Sequence, residues 1–470
     1  MKTKLLLLTA LSIFLYRTVY AQITEEALMT NLQGILDSKI PIYGMEGAAV
    51  AIVFPSDNIH TITSGYATSI SDPVDVNKKW HWASATKPLT GYIILDMYEE
   101  GLLDINGPIS NYIDTDTIPN VSGTILIKDL LQHTSPLQEI WEPAQTALWN
   151  AVWNDRTRVW CPWEVLSYMP LPNDLNTTHH YNNSNSYMLG FIIEAITGQD
   201  LETVFQDRIF TPLGMTNSYL ASCDPFDMNE LNGVWNGTQN RSTWSHTSYL
   251  SSRGGNSALI STVADVAKFY NTYYQGDLLT PAVMDHLRVP AVGSRQYAGA
   301  INCATAFYTE YGFETTILEV TTADTTYHFY GHGGNGVNNC VAFYWQEEDI
   351  TIVIVNNDYT TTNALAALFT DIACEIIDNL PIQNLSVGDQ QYIESNIFPN
   401  PAQEDLTIKL ENSSYDNGRF TLRDLNGRTI LKSQLNGQKT TVSLADLSTG
   451  VYIYELAIDG RSKIGKIIKD

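Results

Sequence analysis

WHWASATKPLTG, residues 80–91, is the stretch whose reading decides the fold. It holds the only Ser-x-x-Lys pair among the 470 residues, Ser84 and Lys87. The residues that follow, LTGYIILDMYEEG, place Leu89, Ile93, Ile94 and Met97 at helical spacing and stop at Gly101. Pro88 lacks an N–H, so the spacing predicts a helix beginning at about Ser84. Ser84 then stands in the first turn, where the helix dipole favours developing negative charge. Lys87 lies one turn on, on the same face. A serine hydroxyl is a weak nucleophile until a neighbour takes its proton, and a desolvated lysine can take it. An exposed serine and a solvated lysine on an amphipathic helix carry the same letters, so partners must be sought elsewhere in the chain.

Toward the N-terminus, residues 47–67 (GAAVAIVFPSDNIHTITSGYA) read as two strands joined at 55–58. A helix over 25–38 precedes them, with Leu28, Leu32 and Leu36 on one side. The start, MKTKLLLLTALSIFLYRTVYA, has Lys2 and Lys4, an apolar run over 5–16 and a small residue at Ala21. That pattern predicts a signal peptide over 1–21, cleaved before Gln22. The run is too short to span a bilayer comfortably, and no other stretch approaches transmembrane length.

Downstream, residues 124–137 (TILIKDLLQHTSPL) read as a short helix ending in a loop, with His133 as a buried or hydrogen-bonded loop histidine in preference to a catalytic one. Residues 138–180 are rich in Trp, Pro and Asn without a period, which suggests irregular structure beside a cleft. In 180–198 (HYNNSNSYMLGFIIEAITG), Asn and Ser precede a periodic apolar run that ends at Gly198. His179 and His180 have no third ligand at a useful spacing, so they read as loop and no metal is expected. Residues 257–274 read as a helix capped by Ser261 or Thr262, and 326–336 as a strand ending in a glycine-rich turn. Residues 340–357 read as a hairpin around 346–349, and 362–378 as a last helix. Strands early and late with helices between predict an α/β sandwich: an antiparallel sheet flanked by helices, with a mainly helical subdomain inserted at about 111–249. A polar linker over 381–395 separates this domain, 22–380, from 396–470. There, short alternating strands with turns at 424–427, 436–437 and 459–460 predict a small all-β sandwich.

The chain carries a net charge of −25. Residues 22–395 hold 13 Lys and Arg against 42 Asp and Glu, a net of −29, while 396–470 hold 10 against 9. Such an acidic body argues against nucleic acid or an anionic membrane as partner. The cysteines, Cys161, Cys223, Cys303, Cys340 and Cys374, are odd in number, so at least one is unpaired. Their connectivity is open, and the absence of a C-x-x-C pair speaks against metal or redox chemistry.

Taken in order, Ser84-Ala85-Thr86-Lys87, Tyr181-Asn182-Asn183 and His332-Gly333-Gly334 resemble the three motifs of the serine β-lactamase and penicillin-binding family. The nearest likeness is to its class C β-lactamase, D-alanyl-D-alanine carboxypeptidase and esterase branch. LLQHTSPL and SALISTVADVAKF also look like stretches of this family, with Pro136 where glycine is usual. The resemblance implies Ser84 as nucleophile, Lys87 as the acceptor of its proton and Tyr181 as the relay to the leaving group, its pKa lowered by nearby cations. It implies Asn183, His332 and Gly334 as substrate-binding residues, and the backbone N–H groups of Ser84 and Asn335 as the oxyanion hole. Asn183 alternatively caps the next helix, and the glycines alternatively make a turn. The implied substrate is a small molecule or peptide bearing an amide, ester or β-lactam, and no cofactor is implied. A non-hydrolytic penicillin-binding or sensor protein of the same fold is the competing reading. His332 stands where lysine is also found. With an ordinary histidine pKa near 6.5 it would charge as pH falls toward 6 and improve KM for a carboxylate substrate. The tail, with FPNPAQEDLTI, LRDLNGRTIL, LADLSTGVYIYEL and KIIKD, resembles the sorting domain of the type IX secretion system. That implies passage through the periplasm, the secretion machinery as partner, and a secreted or surface location.

Overall fold

Every residue of Gly47–Val53 (β1) is buried, and its side chains alternate between two apolar clusters. Ala48, Val50 and Ile52 join one cluster, and Ala49, Ala51 and Val53 the other. A strand covered on both faces reads as a continuous apolar run, as GAAVAIV does. The computed structural model describes residues 23–141, 146–172, 178–301, 303–323, 325–380, 395–410, 418–424, 428–445, 447–458 and 461–469. The expected signal peptide over 1–21 lies outside them, as does the expected linker over 381–395 apart from Ser395. The described residues form two compact units, one within 1–382 and one within 383–470.

In the larger unit, β1 is joined by Ile59–Ser69 (β2), Gln296–Ile301 (β3), Ala304–Tyr311 (β4), Thr316–Thr321 (β5), Thr326–Asn335 (β6), Asn339–Trp345 (β7) and Ile350–Asn356 (β8). These strands form one antiparallel sheet in the order β2-β1-β8-β7-β6-β5-β4-β3, with the short Asp72–Pro73 strand outside β2. Ala49 pairs with Val355 and Ile52 with Ile352, so the chain's early and late strands meet at the centre. Glu25–Ile42 (α1) and Thr362–Asp378 (α5) bury Leu28, Leu32, Leu36, Leu368 and Ile372 against one face. The other face carries Lys87–Glu99 (α2) and Val263–Gln275 (α4), and Asn183–Thr197 (α3) packs on α2, all in one apolar cluster. Between residues 111 and 249 the remaining helices are short, such as Ile127–Leu131, and are interleaved with two-residue strands.

Two local expectations are corrected. Ser84 does not begin an α-helix; Ala83–Thr86 form a 3₁₀ turn and α2 starts at Lys87, with Pro88 in its first turn. Pro88 has no N–H to extend the α-helical ladder back to Ser84, so the chain tightens there. The helix read over 257–274 starts at Val263 (α4), with Thr262, one of the two expected caps, as its cap; Leu259–Ser261 instead pair as a strand with Trp80–His81 and Tyr219–Leu220.

The smaller unit contains two antiparallel sheets, of three and four strands, that share a cluster including Leu406, Ile408, Phe420, Leu422, Leu456 and Ile467. Its turn at 459–460 and most of that at 424–427 lie outside the described residues.

Disulfides join Cys161 to Cys223 and Cys303 to Cys374, leaving Cys340 free and buried. The second closes a loop of 71 residues and ties α5 to the turn between β3 and β4. A loop of that length predicts that the Cys303→Ser/Cys374→Ser protein loses about 2–4 kcal/mol of stability. Urea unfolding of the oxidised wild type and the double variant measures it.

Candidate active site

The Ala83–Thr86 turn is held from several sides. Trp82 Nε1 donates to Ser261 O at 2.9 Å, Tyr270 Oη of α4 donates to Ala85 O at 2.9 Å, and Thr86 Oγ1 accepts from Leu259 N at 3.1 Å. Ala83 sits at φ +41°, a left-handed conformation that costs an L-residue energy and persists only where neighbours hold it. The end of β6 lies directly against this turn. A Cβ on Gly334 would stand 2.7 Å from both Trp82 O and Cys340 Sγ, and one on Gly336 would stand 2.5 Å from His81. Glycine at these positions therefore lets the strand carrying His332 and Asn335 approach the Ala83–Thr86 turn.

Lys87 is fully buried, at 0% exposure. Its Nζ lies 3.1 Å from Ser84 Oγ, 2.8 Å from Asn183 Oδ1 and 3.0 Å from Asn256 O. Two of these partners can only accept. A neutral amine gives its two hydrogens to them and turns its lone pair toward the Ser84 hydroxyl. Burial lowers the Lys87 pKa from 10.5 to about 8, even though the carboxylates of Glu314 and Glu139 pull it upward. Desolvation wins by roughly 3 kcal/mol, so a substantial neutral fraction is present at mildly alkaline pH.

Tyr181 Oη donates to Ser84 Oγ at 2.9 Å. His133 sets its position. The His133 ring stacks on the Tyr181 ring at 4.8 Å and 8°, its carbonyl accepts from His180 N, and its Nδ1 accepts from Asn182 N at 3.0 Å. With Nδ1 an acceptor, the ring proton lies on Nε2, 3.1 Å from Glu314 Oε2. The expectation that cations lower the Tyr181 pKa is corrected. Dehydration of the phenol and the carboxylates of Glu314 and Glu139 raise it, although 37% of the side chain is exposed. Tyr181 therefore rests as a neutral donor.

Asn182, not Asn183, caps α3, its Oδ1 accepting from Asn185 N. That frees the Asn183 amide, whose Nδ2 donates to Glu139 Oε2 at 3.0 Å while Oδ1 faces Lys87. Its orientation is thereby fixed.

His332 is corrected too. It is 5% exposed, and burial together with the Lys87 charge lowers its pKa to about 3. Nδ1 donates to Gly333 O, and Nε2 lies 3.2 Å from Tyr311 Oη, whose single proton is shared between this nitrogen and Glu314 Oε2. The ring stays neutral across ordinary pH, and the improvement of KM toward pH 6 is not expected from it. Asn335 ends β6, and its side chain bonds Thr362. His179 Nδ1 bonds Gln132 O.

Ser84, Lys87, Tyr181, Asn183, His332 and Gly334 thus converge on one site. Sequence reasoning missed Glu139, Tyr311 and Glu314. Glu314 is fully buried at φ +48°; its Oε1 accepts from Ser186 Oγ at 2.7 Å, and its Oε2 from His133 and Tyr311. Nothing in YTEYGFETT marks Glu314, one of its two glutamates, as buried, whereas Glu139 lies beside LLQHTSPL, where a contact with the Tyr-x-Asn segment was open to inference.

Residues 24–374 match the β-lactamase family model, so the chain belongs to the β-lactamase family. Residues 396–470 match the secretion system C-terminal sorting domain, which indicates export to the exterior or the cell surface. The unguisins hydrolase of Aspergillus violaceofuscus is 25% identical over 193 residues, 38% of this chain and 32% of that protein. The chain thus spans about a third of the length of the curated relatives it matches. The D-amino acid amidase of Ochrobactrum anthropi superposes with a TM-score of 0.58 at 19% identity, over 74% of this chain and 99% of that one. A penicillin-binding protein from Bacillus halodurans gives 0.57 at 18%, over 73% and 99%. These two likenesses establish the fold. Among the described residues, no helix is long and apolar enough to cross a membrane.

The proton inventory predicts a pH profile. If Ser84 is acylated with Lys87 as its base, the rate with a neutral ester is expected to rise as pH passes through about 8, where Lys87 loses its proton. The Glu314 carboxylate favours the charged lysine, so Glu314→Gln lowers the Lys87 pKa and moves the rising limb to lower pH. Pre-steady-state acylation between pH 6 and 9.5 measures both limbs.

Proposed function

We propose that this chain is an exported serine hydrolase that forms an acyl intermediate on Ser84. The observation that carries this reading is the buried Lys87 Nζ, held by two pure acceptors with its third direction toward Ser84 Oγ. Ser84 Oγ attacks the substrate carbonyl and its proton passes to neutral Lys87. The backbone N–H groups of Ser84 and Asn335 hold the developing oxyanion. As the tetrahedral intermediate collapses, the proton held by Lys87 returns through Tyr181 to the leaving amine or alkoxide. Water then repeats the sequence with Lys87 as base and frees Ser84. Asn183 orients Lys87 and meets the substrate amide, and Gly334 keeps β6 close.

The substrate is an amide or ester, with D-amino peptides or short esters favoured over β-lactams. His332 offers no permanent cation to a carboxylate beside the leaving group. The catalytic domain occupies 22–380, with its insertion at about 111–249. A linker over 381–395 leads to a sorting β-sandwich at 396–470, and a signal peptide over 1–21 directs entry to the periplasm. The second reading, a penicillin-binding sensor that acylates without turnover, differs in one measurable step, release of the acyl group.

Labelling with a fluorophosphonate, and with a fluorescent penicillin followed by release of the label, tests this reading. Ser84→Ala is expected to abolish labelling with the fold intact. In that background, also removing Lys87 or Tyr181 costs little more, because the three act as a unit. Labelling of Ser84→Ala at the wild-type rate sinks the proposal, and labelling without release selects the sensor. Truncation after Leu380 is expected to leave hydrolysis in vitro unchanged and to stop export. Activity of the purified truncated protein and its presence in the culture medium read the two effects separately.

A further inference from the structure

Arg253 is 5% exposed, yet among the described residues no carboxylate pairs with it and its Nε has no hydrogen-bond partner. An unpaired buried cation is costly. It is the more notable because this body holds 42 Asp and Glu against 13 Lys and Arg, with none of those carboxylates placed against Arg253 among the described residues. The guanidinium instead lies between two rings, its Cζ 3.7 Å from the centroid of Trp141 and 3.7 Å from that of Tyr249. Ring faces offset part of the lost hydration, but they leave the in-plane N–H donors unused.

The clamp is tied to the catalytic site on two sides. Trp141 N donates to Glu139 Oε1 at 2.7 Å, and Glu139 Oε2 holds the Asn183 amide. Trp141 Nε1 donates to Tyr187 Oη at 3.0 Å, and that hydroxyl donates to Ser252 O, next to Arg253. On the other side Tyr249 meets the His81 ring edge-on at 6.1 Å, and His81 lies beneath Gly336 at the end of β6. Three residues beyond Arg253, Asn256 O accepts from Lys87. Gly254 follows Arg253 at φ +53°, where a Cβ would stand 2.8 Å from Pro162, so the turn that aims Arg253 is sterically fixed. Glu139 makes no ion pair with Arg253; its oxygens accept instead from Trp141 N, Asn183 N and Asn183 Nδ2.

We propose that Arg253, clamped between Trp141 and Tyr249, binds a carboxylate on the acyl portion of the substrate. The two ring planes are inclined at 54°, so the fork packs against both without lying parallel to both, and a carboxylate accepts two of its donors in parallel. The acyl side is assigned because Glu139, which accepts from Trp141 N, also holds the Asn183 amide that meets the substrate amide. This assignment rests on the reading of the Ser84 cleft as a substrate site.

Full-length protein is assayed with the p-nitrophenyl monoesters of succinic, glutaric and adipic acid against neutral acyl esters of equal length. Wild type is expected to prefer at least one monoacid. In Arg253→Met, that preference falls at least ~10-fold, carried in KM, as loss of a charge-assisted contact implies. Arg253→Lys recovers part of it and Arg253→Gln little. A preference ratio unchanged in Arg253→Met overturns the proposal. A second measurement needs no turnover: calorimetric titration of methyl hydrogen adipate and methyl hydrogen glutarate into Ser84→Ala and into Ser84→Ala/Arg253→Met. Binding that weakens at least ~10-fold in the double variant supports the site. Equal binding to both, or none to either, overturns it. If wild type neither takes a fluorophosphonate nor cleaves any ester, the hydrolase reading fails by itself, and the titration still decides Arg253.

Discussion

The site depends on the dehydration of one amine. Lys87 is enclosed by the nucleophile turn, the start of α3 and the segment before Leu259, and water cannot stabilise its charge there. Everything nearby either supplies an acceptor for its hydrogens or tunes how readily it charges. Asn183 and Asn256 do the first, and Glu139, Glu314 and Arg253 the second. The carboxylates stand one layer back from Lys87. Moved into direct contact they would capture the proton as a salt bridge and leave no lone pair for Ser84. The distance between a buried base and its counter-charges is therefore as much a part of this site as the contacts themselves.

Behind Tyr181 lies a second layer with its own logic. His133 stacks on the phenol, Glu314 holds His133, and Tyr311 joins Glu314 to His332. Two of these residues, His133 and Glu314, adopt left-handed backbone conformations that L-residues rarely take. The Gly312–Thr315 turn between β4 and β5 carries Glu314, whose N–H donates to Leu131 O. A surface hairpin thus reaches into the core and closes the network from behind.

How much of this was legible in the sequence follows from what a sequence can express. Ser84, Lys87, Tyr181, Asn183, His332 and Gly334 sit in spaced motifs, and spacing survives as a signal when each motif opens or ends a periodic element. The central strands were readable because burial on both faces leaves unbroken apolar runs such as ITIVIV. Strands β3, β4 and β5 were not singled out. They lie toward one side of the sheet, and Ala304–Tyr311 is partly exposed along most of its length. The pKa directions of Tyr181 and His332 were misjudged because both turn on burial, which depends on residues far away in the chain. Glu314 and Arg253 gave no sign at all, since one charged letter does not say whether water reaches it.

The pairing of β1 with β8 has a consequence in time. Synthesis delivers residues 47–53 about 300 residues before their central partners at 351–356. At ordinary elongation rates that interval is roughly 15–60 s. Throughout it the β1–β2 hairpin presents an open edge, the kind of surface on which chains stick to one another. The strand that waits is the alanine-rich GAAVAIV, while ITIVIVN, richer in Ile and Val, is the last of this sheet's strands to be made. The order of the sheet thereby assigns the less apolar sequence to the longer exposure, and it leaves the Ala83–Thr86 turn without its complete sheet until that strand arrives.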